Sequence, residues 1–299
     1  MDGPQSGIFV EGSRHHYALE YILRPDAERL DVATAVRKAL AEVSSATNVV
    51  VAFGPALWKV LAADGLPPGL RPFERLGSLT KVQAPATQRD LLFWLHGQQR
   101  DANFDAALGL QRALEAVADI GLEQSGFVRR ESRDLTGFID GTANPKADEA
   151  RKAALVPEGV AGAGGSFVLT QRWVHDLKRF GRLPVPEQER VIGRTKADSV
   201  QLQGSAMPPD SHVSRTDVKR DGVGLKIYRR SFPYGSVTEH GLYFLAFTCD
   251  IERFVVILHR MYGVFGDGLH DRLTEFSRPV SGAYWFAPSE EDMKAAIGS

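Results

Sequence analysis

The first half of this chain alternates strand-like and helix-like patterns in one order, and that order leaves few folds open. Residues 17–22 read as a strand, and Asp31 as the cap of a helix with Val32, Val36, Ala39, Leu40 and Val43 on its apolar side. Residues 48–53 form a β-branched run ending at Gly54 and Pro55, and residues 91–95 a third strand. Ala107, Leu110, Leu114 and Val117 mark a second helix, before a short strand at 126–129. Strand, helix, two strands, helix, strand is the ferredoxin-like plan (βαββαβ), in which helices cover one face of an antiparallel sheet.

The second half repeats the plan without repeating the sequence. A glycine-rich break leads into a strand at 165–173, a helical segment at 186–192, and strands at 224–230 and 242–248. Asp250 caps a helix buried through Ile251, Phe254, Val255, Leu258 and Tyr262 and ended by Gly263; a last strand follows at 283–286. The expected class is therefore α+β, with halves at 1–145 and 146–299. The stretch 145–165, rich in Ala, Gly, Lys and Glu, connects them or wraps a ligand.

Composition narrows the function. The net charge of −1, from 36 basic and 37 acidic residues in 299, argues against nucleic acid or an anionic membrane as principal partner. No apolar run is long enough to span a bilayer. The single Cys249 excludes an intrachain disulfide framework and multi-cysteine metal sites. With no basic n-region or twin arginine near Met1, the expected compartment is the cytoplasm. The chain ends at Ser299 without a long tail, so packaging inside a larger compartment has no sequence support. No Gly-x-Ser-x-Gly elbow, phosphate loop or His-Glu-x-x-His occurs, which removes most support for hydrolase and nucleotidase functions.

Residues 137–145 read Gly-Phe-Ile-Asp-Gly-Thr-Ala-Asn-Pro. Taken alone, Asp140 and Gly141 are a common turn pair. The flanking glycines, however, let backbone approach a bulky ligand, and Phe138 and Ile139 would partly desolvate the carboxylate, a setting for acid/base work. His212 lies in a polar stretch before a strand. Such a residue is ordinarily solvated, but it becomes a metal ligand if an acceptor such as Asp271 fixes its other ring nitrogen. Arg229 and Arg230 end an apolar strand and point to opposite faces, so one can enter a cavity while the other meets solvent. Arg194, beside a glycine turn, suits a carboxylate. Leu242 and Phe244 share a strand face, as core or as cover for an apolar ligand.

Residues 137–145, 192–196, 211–215, 225–235 and 241–244 resemble, in order, the motifs of the dye-decolourising peroxidases, and especially the compact bacterial group called type B. The likeness runs nearly end to end. It implies two ferredoxin-like halves of the dimeric α+β barrel type, with one haem b per chain held mainly by the second half. By position, Asp140 corresponds to the distal acid/base, Arg229 to the distal arginine, His212 to the axial iron ligand and Arg194 to a propionate contact. Leu242 and Phe244 fall on the distal apolar cover, and Asp271 is the candidate partner of His212. Ala143 stands where many members carry Glu, and Ser231 where some carry Asn in the distal pocket. The implied substrates are hydrogen peroxide and small aromatic reductants oxidised by single electrons, directly or through surface aromatics such as Trp58, Trp94, Trp173, Trp285 or Tyr284. A homo-oligomer is expected. The rival readings are a non-catalytic haem carrier or sensor, in which Asp140 has no task, and a cofactor-free binding module.

Overall fold

The alternation folds into one curled antiparallel sheet. The computed structural model describes residues 3–62, 65–77, 82–220 and 222–298; Met1, Asp2 and Ser299, in the termini considered above, lie outside the described residues. The first half comprises β1 (His15–Leu23), α1 (Arg29–Ala41), β2 (Thr47–Phe53), α2 (Pro55–Leu61), β3 (Leu91–Gly97), α3 (Arg100–Leu114) and β4 (Ala118–Phe127). The second begins with α4 (Ala147–Ala154), β5 (Ser166–His175), α5 (Leu177–Phe180), α6 (Val185–Ile192) and α7 (His212–Thr216). It continues through β6 (Lys219–Arg220), β7 (Val223–Gly224), β8 (Tyr228–Arg229), β9 (Phe232–Gly235) and β10 (His240–Thr248). It ends with α8 (Ile251–Met261), β11 (Ser277–Pro279), β12 (Ala283–Ala287) and α9 (Glu290–Ile297). Among the described residues no helix is long and apolar enough to cross a membrane.

Strand order β4-β1-β3-β2 in the first set recurs as β12-β5-β10-β8 in the second, the ferredoxin-like arrangement twice over. Phe53 of β2 pairs with Phe286 of β12 and joins the two sets into one sheet. At the other end β4 packs against β9, so closely that a Cβ on Gly126 would lie 2.1 Å from the Phe232 ring. Only glycine fits there. The curled sheet has two buried faces. Ala18, Trp94, Val168, Tyr243, Leu245 and Trp285 fill its interior, while Tyr21, Phe93, Leu169, Phe286 and the helices form the larger core outside.

Several elements depart from the sequence pattern. Helix α1 starts at Arg29, with Glu28 at its N-cap; Asp31 sits in the first turn, where it faces the positive end of the helix dipole. Strand β4 runs from Ala118, eight residues before the expected start, because an edge strand with polar, exposed positions lacks a hydrophobic signature. The strand expected at 224–230 is broken: Val223–Gly224 pairs with Lys219–Arg220 in a separate hairpin, and only Tyr228–Arg229 joins β10. The connection 145–165 contains α4, and none of it lines the main cavity. The five aromatics proposed for surface electron transfer are all buried.

Inside the sheet, His16 stacks on Phe232 (centroids 4.8 Å apart) and Trp94 stacks on His96 (4.0 Å), with the Arg230 guanidinium 5.0 Å over Trp94. Both histidines are satisfied as neutral rings: His96 contacts Ser13 Oγ at 2.7 Å and the Gly7 carbonyl at 2.9 Å, and His16 Nδ1 accepts from Trp94 Nε1. Burial, then nearby cationic groups including Arg230, holds His16 down at about 3 and His96 at about 4, against 6.5 ordinarily. The unfolded chain therefore binds more protons between these values. The stability that these two neutral rings contribute is fully present above about pH 6.5 and is lost as pH falls toward 4. Thermal melts should show this loss, and His16→Phe should keep more of its neutral-pH stability at pH 5 than the native chain does.

Candidate active site

A large cavity opens between the outer face of β5 and β10 and the helices α7 and α8. Leu169, Gln171, Trp173 and His175 project into it from β5, Leu242 and Phe244 from β10, and Phe254, Ile257, Leu258 and Met261 from α8. The pleat dictates this, since every second residue of a strand shares a face. Opposed pairs Leu242 with Trp173 and Phe244 with Gln171 make the wall continuous.

His212 is the first residue of α7, not part of a loop, and Ser211 caps the helix by accepting from the Ser214 amide. The helix is only five residues long, too short to stand alone. Arg215 fixes it: fully buried, its guanidinium binds Asp267 at 2.6 Å and the carbonyls of Arg260 and Leu269. His212 Nδ1 then meets Asp271 Oδ2 at 2.6 Å. Asp271 is completely buried, not an exposed helix-start carboxylate, and its other oxygen caps a short turn by accepting from the Leu273 amide. A carboxylate on Nδ1 fixes the tautomer and leaves Nε2 to the cavity, the arrangement of a metal-ligating imidazole. Among the described residues there is no cluster of three or more His, Cys, Asp or Glu side chains that could hold a metal alone.

Asp140 lines the same cavity from a loop shaped by Gly137 (φ 94°) and Gly141 (φ 82°), both in the left-handed region that glycine accepts without strain. Its carboxylate accepts from the Gly141 amide at 2.7 Å. Arg229 arrives from β8. Its backbone N–H donates to Asn144 Oδ1 and its carbonyl accepts from Asn144 Nδ2, each at 2.9 Å, so one amide side chain clasps the arginine to the Asp140 loop. Arg229 Nε is buried without a hydrogen-bond partner, a donor aimed at something the chain does not supply. Arg230 points the other way into the sheet interior and donates to the Ile8 and Val10 carbonyls, so the expected division of faces holds, with packing in place of solvent.

Arg194 also lines the cavity, donating to Ser199 O and Gln201 Oε1. Burial, then the Arg229 cation, lowers its guanidinium from the usual range. Neither arginine has a carboxylate partner among the described residues, so the rim favours anions. Ser231 does not line the cavity; its hydroxyl lies 3.3 Å from the Leu245 amide as acceptor. Ala143 lines it with a methyl group only.

Two fastenings of the Asp140 loop were not visible in the sequence. Arg133 donates to three carbonyls, Gly137, Lys196 and Ala197, tying that loop to the one bearing Arg194. His175 bridges Ser277 Oγ at 2.7 Å and Asp134 Oδ1 at 3.1 Å. Burial raises the Asp134 carboxyl, but bonds from His175 and Thr136 outweigh it and hold it at about 2.

Residues 18–128 match the family model "Dyp-type peroxidase, N-terminal", and residues 131–292 match "Dyp-type peroxidase, C-terminal". The chain belongs to the Dyp-type peroxidase family. It is 37% identical over 248 residues to a dye-decolorizing peroxidase of Mycobacterium tuberculosis, an alignment covering 81% of this chain and 73% of that relative. A dye-decolorizing protein from V. cholerae superposes with a TM-score of 0.86 at 38% identity, covering 97% of this chain and 98% of the other. A heme-bound DypB variant from Rhodococcus jostii RHA1 gives a TM-score of 0.90 at 31% identity over 98% of both. This Dyp-type peroxidase thus shares its fold with both solved structures over nearly the whole chain.

Replacing Asp271 by Ala strips the acceptor from His212 Nδ1 and from the Leu273 amide, where the lost carboxylate was itself completely buried. Urea unfolding should show a loss of about 1–3 kcal/mol, the range for orphaning buried donors.

Proposed function

We propose that the cavity binds one haem b, with His212 Nε2 as the axial iron ligand, and that the enzyme reduces hydrogen peroxide while oxidising small aromatic donors by single electrons. The observation that carries this reading is the His212–Asp271 pair, which presents one oriented imidazole to a cavity that also holds Asp140 and the unpartnered Arg229 Nε. The rest of the lining suits the group: apolar walls for a macrocycle, and unpaired Arg194 for a propionate.

Haem, when bound, supplies the redox chemistry. Asp140 takes the proton from the inner oxygen of peroxide and delivers it to the outer one, a transfer that positioned carboxylates perform. Arg229 offsets the charge on the departing oxygen. Leu242 and Phe244 keep water from the reacting atoms, which strengthens both effects. Asn144 holds the backbone of Arg229 so that the guanidinium is aimed before substrate arrives.

The deciding experiment is an absorption spectrum of purified holoprotein before and after one equivalent of peroxide. A peroxide-dependent change followed by donor oxidation supports a peroxidase with this chemistry; a stable haem band indifferent to peroxide would make the protein a carrier or sensor. His212→Ala should abolish the native axial ligation, and unchanged ligation would overturn the assignment. In rapid mixing, Arg229→Ala should slow the peroxide step by about 10²- to 10³-fold, as loss of a charge-stabilising donor does. Asp140→Ala should slow it by about 10²- to 10⁴-fold, the usual range for a general acid/base.

A further inference from the structure

A second crevice, of about 560 Å³ and open to solvent, shares the Asp140 loop with the main cavity. Its volume falls within the range of about 300–1,000 Å³ common to small-molecule sites. Gly137 borders the crevice, while its neighbours Thr136 and Phe138 and the nearby Asp140 border the cavity. Four cations line the crevice, Arg129, Arg130, Arg133 and Lys196, against two carboxylates, Glu131 and Glu189.

The carboxylates do not balance the cations. Glu131 is held by Arg133 Nε at 2.9 Å, and Glu189 accepts from the Lys196 backbone amide at 2.8 Å. The Lys196 ammonium donates to the neutral Gln188 Oε1, and Arg129 to the Asp134 carbonyl. Arg130 is exposed, and its guanidinium has no hydrogen bond or ion pair among the described residues. Burial, then repulsion from Arg129 and Arg133, lowers the Lys196 ammonium from its usual range, with Glu189 opposing. Fastening the loop requires Arg133 alone, so the other cations are left without a structural task. A concave surface short of countercharge attracts anions.

The crevice is also wired to the loop. Arg133 grips the carbonyls of Gly137, Lys196 and Ala197, and Lys196 Nζ lies 5.6 Å from the centroid of the Phe138 ring. Glu131 and Ser132 follow one another at φ 54° and 60°, strained values for residues with side chains, which persist only where the surroundings hold them. The Ser132 carbonyl accepts from the Asp140 amide at 2.9 Å. Whatever fixes residues 129–133 therefore fixes Asp140.

We propose that this crevice binds a small oxyanion with two or more charged groups, of phosphate or carboxylate type, and that the bound anion stiffens the loop carrying Asp140. Two charged groups are needed because the cations come from two segments, 129–133 and Lys196, which one anion must meet together. Resting on the haem-peroxidase reading above, a better-held Asp140 carboxylate makes the peroxide step faster.

The test is calorimetric titration of the holoprotein with pyrophosphate and with citrate at fixed ionic strength, paired with hydrogen exchange across residues 131–142. The expected result is saturable binding that slows exchange in this segment. Because its guanidinium holds nothing, Arg130→Glu should keep the fold and the basal peroxide rate yet weaken binding by about tenfold or more, as loss of a charge-assisted contact does. Binding of pyrophosphate alone assigns phosphate-type ligands, and of citrate alone carboxylate-type ligands. No binding of either, or equal binding by Arg130→Glu, overturns the site; binding without slowed exchange overturns the coupling to Asp140. Rapid mixing with peroxide should show a faster step when the anion is bound, and an unchanged rate refutes that effect. An absorption spectrum indifferent to peroxide, with binding and slowed exchange intact, would instead sink the peroxidase reading and leave the anion site standing.

Discussion

The pleat of β5 and β10 is the constraint on which the rest of the molecule depends. Because successive side chains alternate, the same two strands present Leu169, Gln171, Trp173, Leu242 and Phe244 to the cavity and Val168, Thr170, Tyr243 and Leu245 to the sheet interior. A slip of one residue would exchange the two sets and ruin both faces at once. The register is pinned by pairs running from Gly241 with Val174 to Thr248 with Phe167. Arg229 and Arg230 obey the same alternation on the neighbouring strand, which is why two adjacent guanidiniums do unrelated work.

Much of this was legible from the sequence because period and burial coincide. Residues 48–53, 91–95 and 242–248 are short apolar runs bounded by turn or polar residues, and they became β2, β3 and β10 with small extensions. The amphipathic run after Asp250 became α8, capped as expected by the Asp250 side chain accepting from the Glu252 amide. Strand β4 escaped because its outward positions are polar, and the segment 224–230 misled because its apolar side chains face the cavity without forming a continuous strand.

Within the site, ordered motifs brought out Asp140, His212, Arg229 and Arg194, and the structure brings all four to one cavity together with Leu242, Phe244 and Asp271. Ser231 is the exception: its hydroxyl is engaged near the Leu245 amide. What stayed hidden were the fasteners. Asn144 and Arg133 act through backbone atoms of partners 85 and 63 positions away in sequence, and Asp134 meets His175 across 41. Such contacts leave no periodic trace, and an Arg or Asn in a turn-rich stretch looks like any surface residue.

The two halves share a strand order but not a filling. In the first, Val36, Leu110 and Leu114 close onto Tyr21 and Phe93, all fully buried. In the second, the helices stand off the sheet and the corresponding space is open. Walls that lack partner atoms forfeit their dispersion contacts. A ligand seated there serves as the missing core of the second half and raises its stability by mass action. A prosthetic group bound there is then a folding component as well as a reagent.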